Sequence, residues 1–489
     1  MTSLNVKTNY GLVKGYERNG MVEFLGIPFA KPPIGELRFK RARECDQWKD
    51  PLNAKAYGSE SVQLEDGQLK GSEDCLTLNI QRPFEGKNLP VLVWIHGGGY
   101  NTGSASCPLT DGKNFVEKGI LYVSIQYRLN VLGFYDFTTY KGCEGFESNC
   151  GLSDQIMALK WIHENIAYFG GNPGDVTIMG ESAGAASCIN LMAAPAVRGY
   201  FQKAIIESGL PNCVMTHETA RENIDLFIEG MGWTEEDLPK LRTIDPFELQ
   251  KGNTYVAEKH QYKNPGMYLP GPIQDDLLPV RPLDAIKAGS AKDVKIIIGT
   301  NLNEGTMFVH PEKTGFPNSW EMVEEMFANN GCEDGLKEIK SYYSKANEDA
   351  FIDFATDYAF QMPAIKLADY QSKFNDVWMY RYELVTKSGA ETGMRASHAF
   401  EMPAVFKNRD FGFSSFVLDG EDEDTVEQIF SAIHTPWSSF VLNNAPGNDW
   451  PVFKGAASEI KVFNRTSETK LVDRSELMRV WGDLRFYEK

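Results

Sequence analysis

An α/β fold, with a mostly parallel central sheet flanked by helices, is predicted by three features of this sequence. Apolar, β-rich runs recur along the chain. They are nearly continuous rather than alternating, as strands covered on both faces require. Helix-like stretches separate them, which gives the strand, crossover helix, strand rhythm of a doubly wound sheet. In order the runs are VLVWIH (91–96), ILYVSIQY (120–127), VTIMG (176–180), KAIIES (203–208), VKIIIGT (294–300) and DVWMYRYEL (376–384). Between the second and third, LSDQIMALKWIHENIAYFG sets Ile156, Leu159, Ile162 and Ile166 at helical spacing and leaves Lys160, His163 and Glu164 outward. Gly170-Gly171-Asn172-Pro173 stops that helix. Ala183 to Ala194 has the Ala-rich composition of a helix packed closely on a sheet. Two stretches, about 211–290 and 305–375, are more polar and helical. They read as helical excursions from the sheet, so residues 1–489 are expected to form a single domain.

The chain has 489 residues, 42% of them hydrophobic, enough for a large core. Its net charge of −18, from 67 acidic and 49 basic residues, argues against binding nucleic acid or anionic membranes through bulk electrostatics. The acidic cluster Glu421 to Asp424 reads as a solvated loop. No basic segment followed by an apolar one opens the sequence, and no run of about 18 apolar residues occurs. Eight cysteines in so long a chain suggest free thiols, although Cys143 and Cys150 could close a small loop. There is no C-x-x-C and no histidine pair at metal-ligand spacing, so neither metal nor cofactor is expected. The sequon Asn464-Arg465-Thr466 carries no weight without secretion. A cytoplasmic location is the expectation.

VTIMGESAGAAS (176–187) crosses from strand to helix through Gly-Glu-Ser-Ala-Gly. A serine on such a sharp turn, with glycines relieving the crowding, has the geometry of a nucleophile elbow. A serine hydroxyl is a poor nucleophile alone, so it needs a base, an acid to orient the base, and donors for an oxyanion. The strand VLVWIH runs into Gly97-Gly98-Gly99-Tyr100, whose glycines let backbone N–H groups point into a site unobstructed. Five histidines follow Ser182. His217 and His260 lie in the first polar excursion, and His310 sits six residues beyond the best acid, too close to reach across from it. His434 falls in DTVEQIFSAIHTPW, on a helix near its C-terminus, where the helix dipole explains it structurally. His398, in GMRASHAFEMP after a strand, is the favoured base. Glu304, just past VKIIIGT, is the favoured acid, with Asp275–Asp276 as the alternative.

FGGNPGDVTIMGESAG (169–184), SEDCLTLNI (72–80), WIHGGGYNTGS, YRLNVLGF and RASHAFEMPAVF together resemble the type-B carboxylesterase family of α/β-hydrolases. The likeness runs from GLVKGYERNG near the start to WPVF near residue 450, with Thr77 where tyrosine is usual. It implies Ser182 as nucleophile, His398 as general base and acid, and Glu304 as the orienting carboxylate. Backbone amides of Gly98, Gly99 and Ala183 would hold the oxyanion. A buried shell of Glu181, Ser208 and Glu401 would surround the histidine, and Arg38–Glu73 and Arg128–Asp154 would be structural salt bridges. The excursions would then lie over the active site.

Departures narrow the expectation. The segment AYGSESVQLEDGQLKGSEDC has neither a cysteine partner for Cys75 nor the tryptophan that stacks on choline in secreted members. It is short and polar, so it cannot form an amphipathic lid. Met215 stands where a bulky acyl-pocket tryptophan occurs in choline-specific members, and would leave a more adaptable pocket. The expected function is hydrolysis of small to medium carboxylic esters through an acyl-enzyme, with a small ester and water as partners and no nucleic acid or membrane. Amide or carbamate cleavage by the same triad is the alternative, and a non-catalytic binding module of the same fold a remote one.

Overall fold

The computed structural model describes residues 4–484 other than 212, 264–269, 310–315, 344–346 and 483. An eleven-stranded sheet forms its centre. In chain order its strands are β1 (Tyr16–Arg18), β2 (Met21–Pro28), β3 (Thr77–Pro83), β4 (Leu89–Ile95), β5 (Leu121–Ile125), β6 (Gly171–Glu181), β7 (Lys203–Glu207), β8 (Lys295–Asn301), β9 (Val377–Tyr382), β10 (Ala457–Phe463) and β11 (Glu468–Asp473). Across the sheet they lie in the order β11-β10-β9-β8-β7-β6-β4-β5-β3-β2-β1. Strands β4 to β10 pair in parallel, and antiparallel strands complete both edges. The six predicted runs are β4 to β9.

Alternation within these runs explains why they are apolar throughout. In β4, Val91, Val93 and Ile95 enter the core on one face, while Leu92 and Trp94 enter the core on the other. In β8, Ile296 and Ile298 face one core and Ile297 the opposite one. Period-2 geometry therefore demands apolar residues at every position when both faces are covered. Helix α1 (Cys150–Asn165) buries Leu159, Trp161 and Ile162 and exposes His163 and Glu164, as its spacing predicts. Helix α2 (Ala183–Ala193) is buried along its whole length. The stretches after β7 and β8 are helical, with His217–Met231 and Leu249–Lys263 in the first and Trp320–Asn329, Glu333–Tyr342, Glu348–Thr356 and Met362–Gln371 in the second.

Two local expectations are corrected. Glu421 to Asp424 is not a loop: Asp422 caps α3 (Glu423–Asn443) by accepting from Thr425 N, Glu423 and Asp424 fill its first turn, and Glu421 pairs with Arg465. Negative charge there complements the helix dipole. His434 lies in mid-helix rather than near an end, because α3 continues through Pro436 to Asn443. The segment upstream of Cys75 forms a hairpin, Gln63–Glu65 with Gln68–Lys70. Asp66 and Gly67 turn it with φ of 50° and 75°, the Asp-Gly type I′ solution.

Both expected salt bridges form. Arg38 pairs with Glu73 through Nε at 2.6 Å. Arg128 holds Asp154 with Nε at 2.8 Å and Nη2 at 2.7 Å, and both residues are buried. None of the eight cysteines is in a disulfide. No described helix is long and apolar enough to cross a membrane.

Candidate active site

Parallel strands deliver the site's residues to one edge of the sheet. Gly180 of β6 pairs in register with Ile95 of β4, so both strands end at the same level. Gly97–Gly99 follow one and Ser182 follows the other. Glu207 ends β7 and Ser208 follows it, Glu304 follows β8 by three residues, and His398 lies in the connection after β9. This carboxyl edge, where the strand order reverses around β4, is where open α/β sheets form sites.

Ser182 has φ 56° and ψ −122°, a backbone conformation that costs a side-chain-bearing residue roughly 1–3 kcal/mol. Its surroundings hold it there. Its N–H donates to the Glu207 carbonyl at 2.9 Å. A Cβ on Gly184 would lie 2.1 Å from the Ile95 carbonyl oxygen, and one on Gly180 would lie 2.3 Å from the Gly184 carbonyl carbon. Only glycine permits this approach of α2 to the sheet.

The loop after β4 is fixed as firmly. Gly98 and Gly99 have φ of 100° and 61°, and a Cβ on Gly98 would meet the Thr102 oxygen at 2.3 Å. The Tyr127 hydroxyl donates to the His96 carbonyl at 2.7 Å, and its ring stacks on His96. Gly103 N donates to Gln63 Oε1 at 2.9 Å, tying the loop to the hairpin. The N–H groups of Gly98, Gly99 and Ala183 donate to no acceptor among the described residues. Three backbone donors thus remain available around Ser182.

Glu304 is fully buried and accepts from three donors: Ser208 Oγ at 2.5 Å, Asn301 N at 2.6 Å and His398 Nδ1 at 2.6 Å. The bond to Nδ1 leaves Nε2 as the working nitrogen. That nitrogen lies 3.0 Å from Glu181 Oε1. Ser182 Oγ makes no hydrogen bond to His398 in this structure. Burial opposes charge on the ring, but Glu181 and Glu304 outweigh it and hold His398 well above the ordinary histidine pKa. The aromatic rings of Phe308 and Phe360 pack 5.1 Å and 4.9 Å from it, centroid to centroid.

Glu401 lies behind this pair, bonded to Asn301 Nδ2, which also donates to the Ser397 carbonyl at 2.6 Å. Burial first, then Glu181 and Glu304, raise the Glu401 pKa above the carboxylate range. Glu207 adds another buried carboxyl, bonded to Trp437 Nε1 at 2.6 Å and raised by burial and by Glu401. Sequence reasoning missed Glu207, Asn301 and Trp437. Their one available signal was a charged residue closing the apolar run KAIIES.

The alternative residues have structural partners. Asp275 and Asp276 pair with Arg41 at 2.9 Å and 2.7 Å. His217 approaches Asp136 at 3.6 Å and is largely exposed. His260 bonds Asn223 Oδ1 at 2.6 Å. His434 bonds the Val405 carbonyl at 2.8 Å and Ser438 at 3.2 Å. His310 lies outside the described residues. Met215 packs with Ala220 and Ile273 and accepts from Asn223 Nδ2 at 3.1 Å. No group of three or more metal-ligating side chains occurs among the described residues.

Sheet order and strand-edge serine define an α/β-hydrolase. The chain belongs to the carboxylesterase family, whose model matches residues 2–481, and is a carboxylic ester hydrolase. It is 36% identical over 478 residues to a para-nitrobenzyl esterase of Bacillus subtilis (strain 168), covering 95% of each chain. It is 31% identical to a cholinesterase of Mus musculus, covering 96% of this chain and 84% of that protein. A solved structure titled PNB esterase superposes with a TM-score of 0.87 at 33% identity, covering 97% of this chain and 99% of the other.

Proposed function

We propose that Ser182, His398 and Glu304 form a catalytic triad that hydrolyses small to medium carboxylic esters through an acyl-enzyme. The observation carrying this reading is the His398–Glu304 bond at 2.6 Å, set beside a serine held at φ 56°. His398 Nε2 turns from Glu181 to the Ser182 hydroxyl and takes its proton as Oγ attacks the ester carbonyl. Glu304 keeps the tautomer and stabilises the imidazolium. The unpartnered N–H groups of Gly98, Gly99 and Ala183 receive the oxyanion. The imidazolium then protonates the leaving alcohol, and a water activated by the same histidine releases the acid.

Several features support the substrate class. Phe308 and Phe360 give the histidine apolar walls suited to an acyl or alkyl group. The hairpin before Cys75 carries no tryptophan to face a quaternary ammonium. We read residues 1–489 as one catalytic unit, because Val323, Met326 and Phe351 of the second excursion share a core with Ile296 and Val377 of the sheet. Eight cysteines without a disulfide favour a reducing, cytoplasmic setting. The test is a fluorophosphonate label with a panel of p-nitrophenyl esters of graded acyl length and matching anilides. Labelling of wild type but not of Ser182→Ala, with ester turnover far above anilide turnover, is expected. Labelling of Ser182→Ala, or anilides turned over as fast as esters, overturns the proposal.

A further inference from the structure

Far from Ser182, an arginine occupies a core position without a counter-ion. In β3, Leu78 and Ile80 point into the main core, and period-2 geometry sends Arg82 to the same face. Arg82 is only 6% exposed. Its Nη1 donates to the Pro83 carbonyl at 3.2 Å, its Nε is buried with no partner, and no carboxylate pairs with it among the described residues. An arginine so placed keeps its charge in the core without a carboxylate to balance it, a cost that a bound anion would offset.

Arg82 lines a cleft of about 650 Å³. Strand β3 runs antiparallel to β5, so the end of β3 lies at the sheet edge opposite the candidate active site. Lys7 and Lys87 line the same cleft, both exposed and neither in an ion pair among the described residues, against a single described carboxylate in the lining, Glu85. This local excess of positive charge stands on a chain of net charge −18. The Tyr168 ring, 53% exposed, forms part of the wall, with its hydroxyl anchored to Asn9 Oδ1 at 3.1 Å. The volume is far larger than a bare ion needs and falls among small-molecule sites.

We propose that this cleft binds a small phosphate monoester, its phosphate on Arg82, Lys7 and Lys87 and its planar body against Tyr168. Arginine with two lysines suits a dianion better than a singly charged carboxylate, and charge-assisted bonds to a partly buried guanidinium are strong.

Isothermal titration calorimetry of the full chain, with Ser182 first treated with a fluorophosphonate, tests it. The probes are phenyl phosphate, inorganic phosphate and benzoate. Phenyl phosphate is expected to bind saturably at one site, inorganic phosphate more weakly and benzoate weakest. Lys7→Glu with Lys87→Glu, both at exposed positions, should weaken phenyl phosphate by roughly tenfold or more while leaving ester turnover unchanged. Arg82→Gln should do the same, and the lysine pair decides the matter if that variant does not fold. No saturable heat with phenyl phosphate, equal affinity for benzoate, or unchanged affinity in the lysine variant overturns the proposal.

Discussion

His398 is clasped by carboxylates at both ring nitrogens, and that sets the pH behaviour of the site. The sequence suggests a histidine flanked by one carboxylate, titrating around 6 to 7. Two adjacent carboxylates raise that value, so the acid limb of kcat/KM belongs above this range. In Glu181→Gln one of them is gone, the imidazolium loses support, and its pKa falls. The limb should therefore move to lower pH, by roughly one unit or more. A limb that stays put or moves upward contradicts this role for Glu181. Glu304→Gln tests the other nitrogen. Its amide oxygen can still accept from Ser208 and Asn301, so the fold should survive while kcat drops roughly 10³- to 10⁴-fold. His434→Ala should leave kcat within a few fold, because its ring bonds Val405 and Ser438 and nothing at the strand edge. An inactive but folded His434→Ala would refute the assignment of His398.

The elements that hold these residues were legible in proportion to their burial. Strands β4 to β9 are covered on both faces, so their apolar runs could be read directly. Helices α1 and α2 showed through spacing and alanine content. The sheet edges did not show: β1 has three residues, and β11 is largely exposed, so neither has an apolar run. Pro436 hid the length of α3, because a proline reads as a helix end although packing of Trp437, Phe440 and Val441 carries the helix past it. Of the proposed site, motif and order pointed to the strand-end Ser182, the glycine loop, and the His398–Glu304 pair that the structure joins. The carboxyl of Glu207 was not legible, since a pattern along one strand does not tell what faces it from α3. The junction of β6 and α2 permits a sharp test. Gly184→Ala places a methyl 2.1 Å from the Ile95 carbonyl oxygen, backbone against backbone. A loss of at least 1–3 kcal/mol in chemical denaturation, or failure to fold, is expected. Wild-type stability and turnover in that variant would show that the helix can move off the sheet.

At the scale of the whole molecule, the thiols give an independent check on the fold. Burial pushes Cys75 and Cys213 up to about 12, so these two thiols should react slowly with an aromatic disulfide reagent in the folded protein. Unfolded without reductant, it should titrate eight thiols. Six or fewer, in protein protected from oxidation, would establish a bridge. The site also has a property that follows from where its parts lie in the chain. Ser208 meets Glu304 across 96 residues, and Glu304 meets His398 across a further 94. No fragment of local structure brings them together, since each contact waits for separate strands to align across the sheet. Ester turnover is thus a clock for the completion of folding: during refolding, circular dichroism should recover first and activity last.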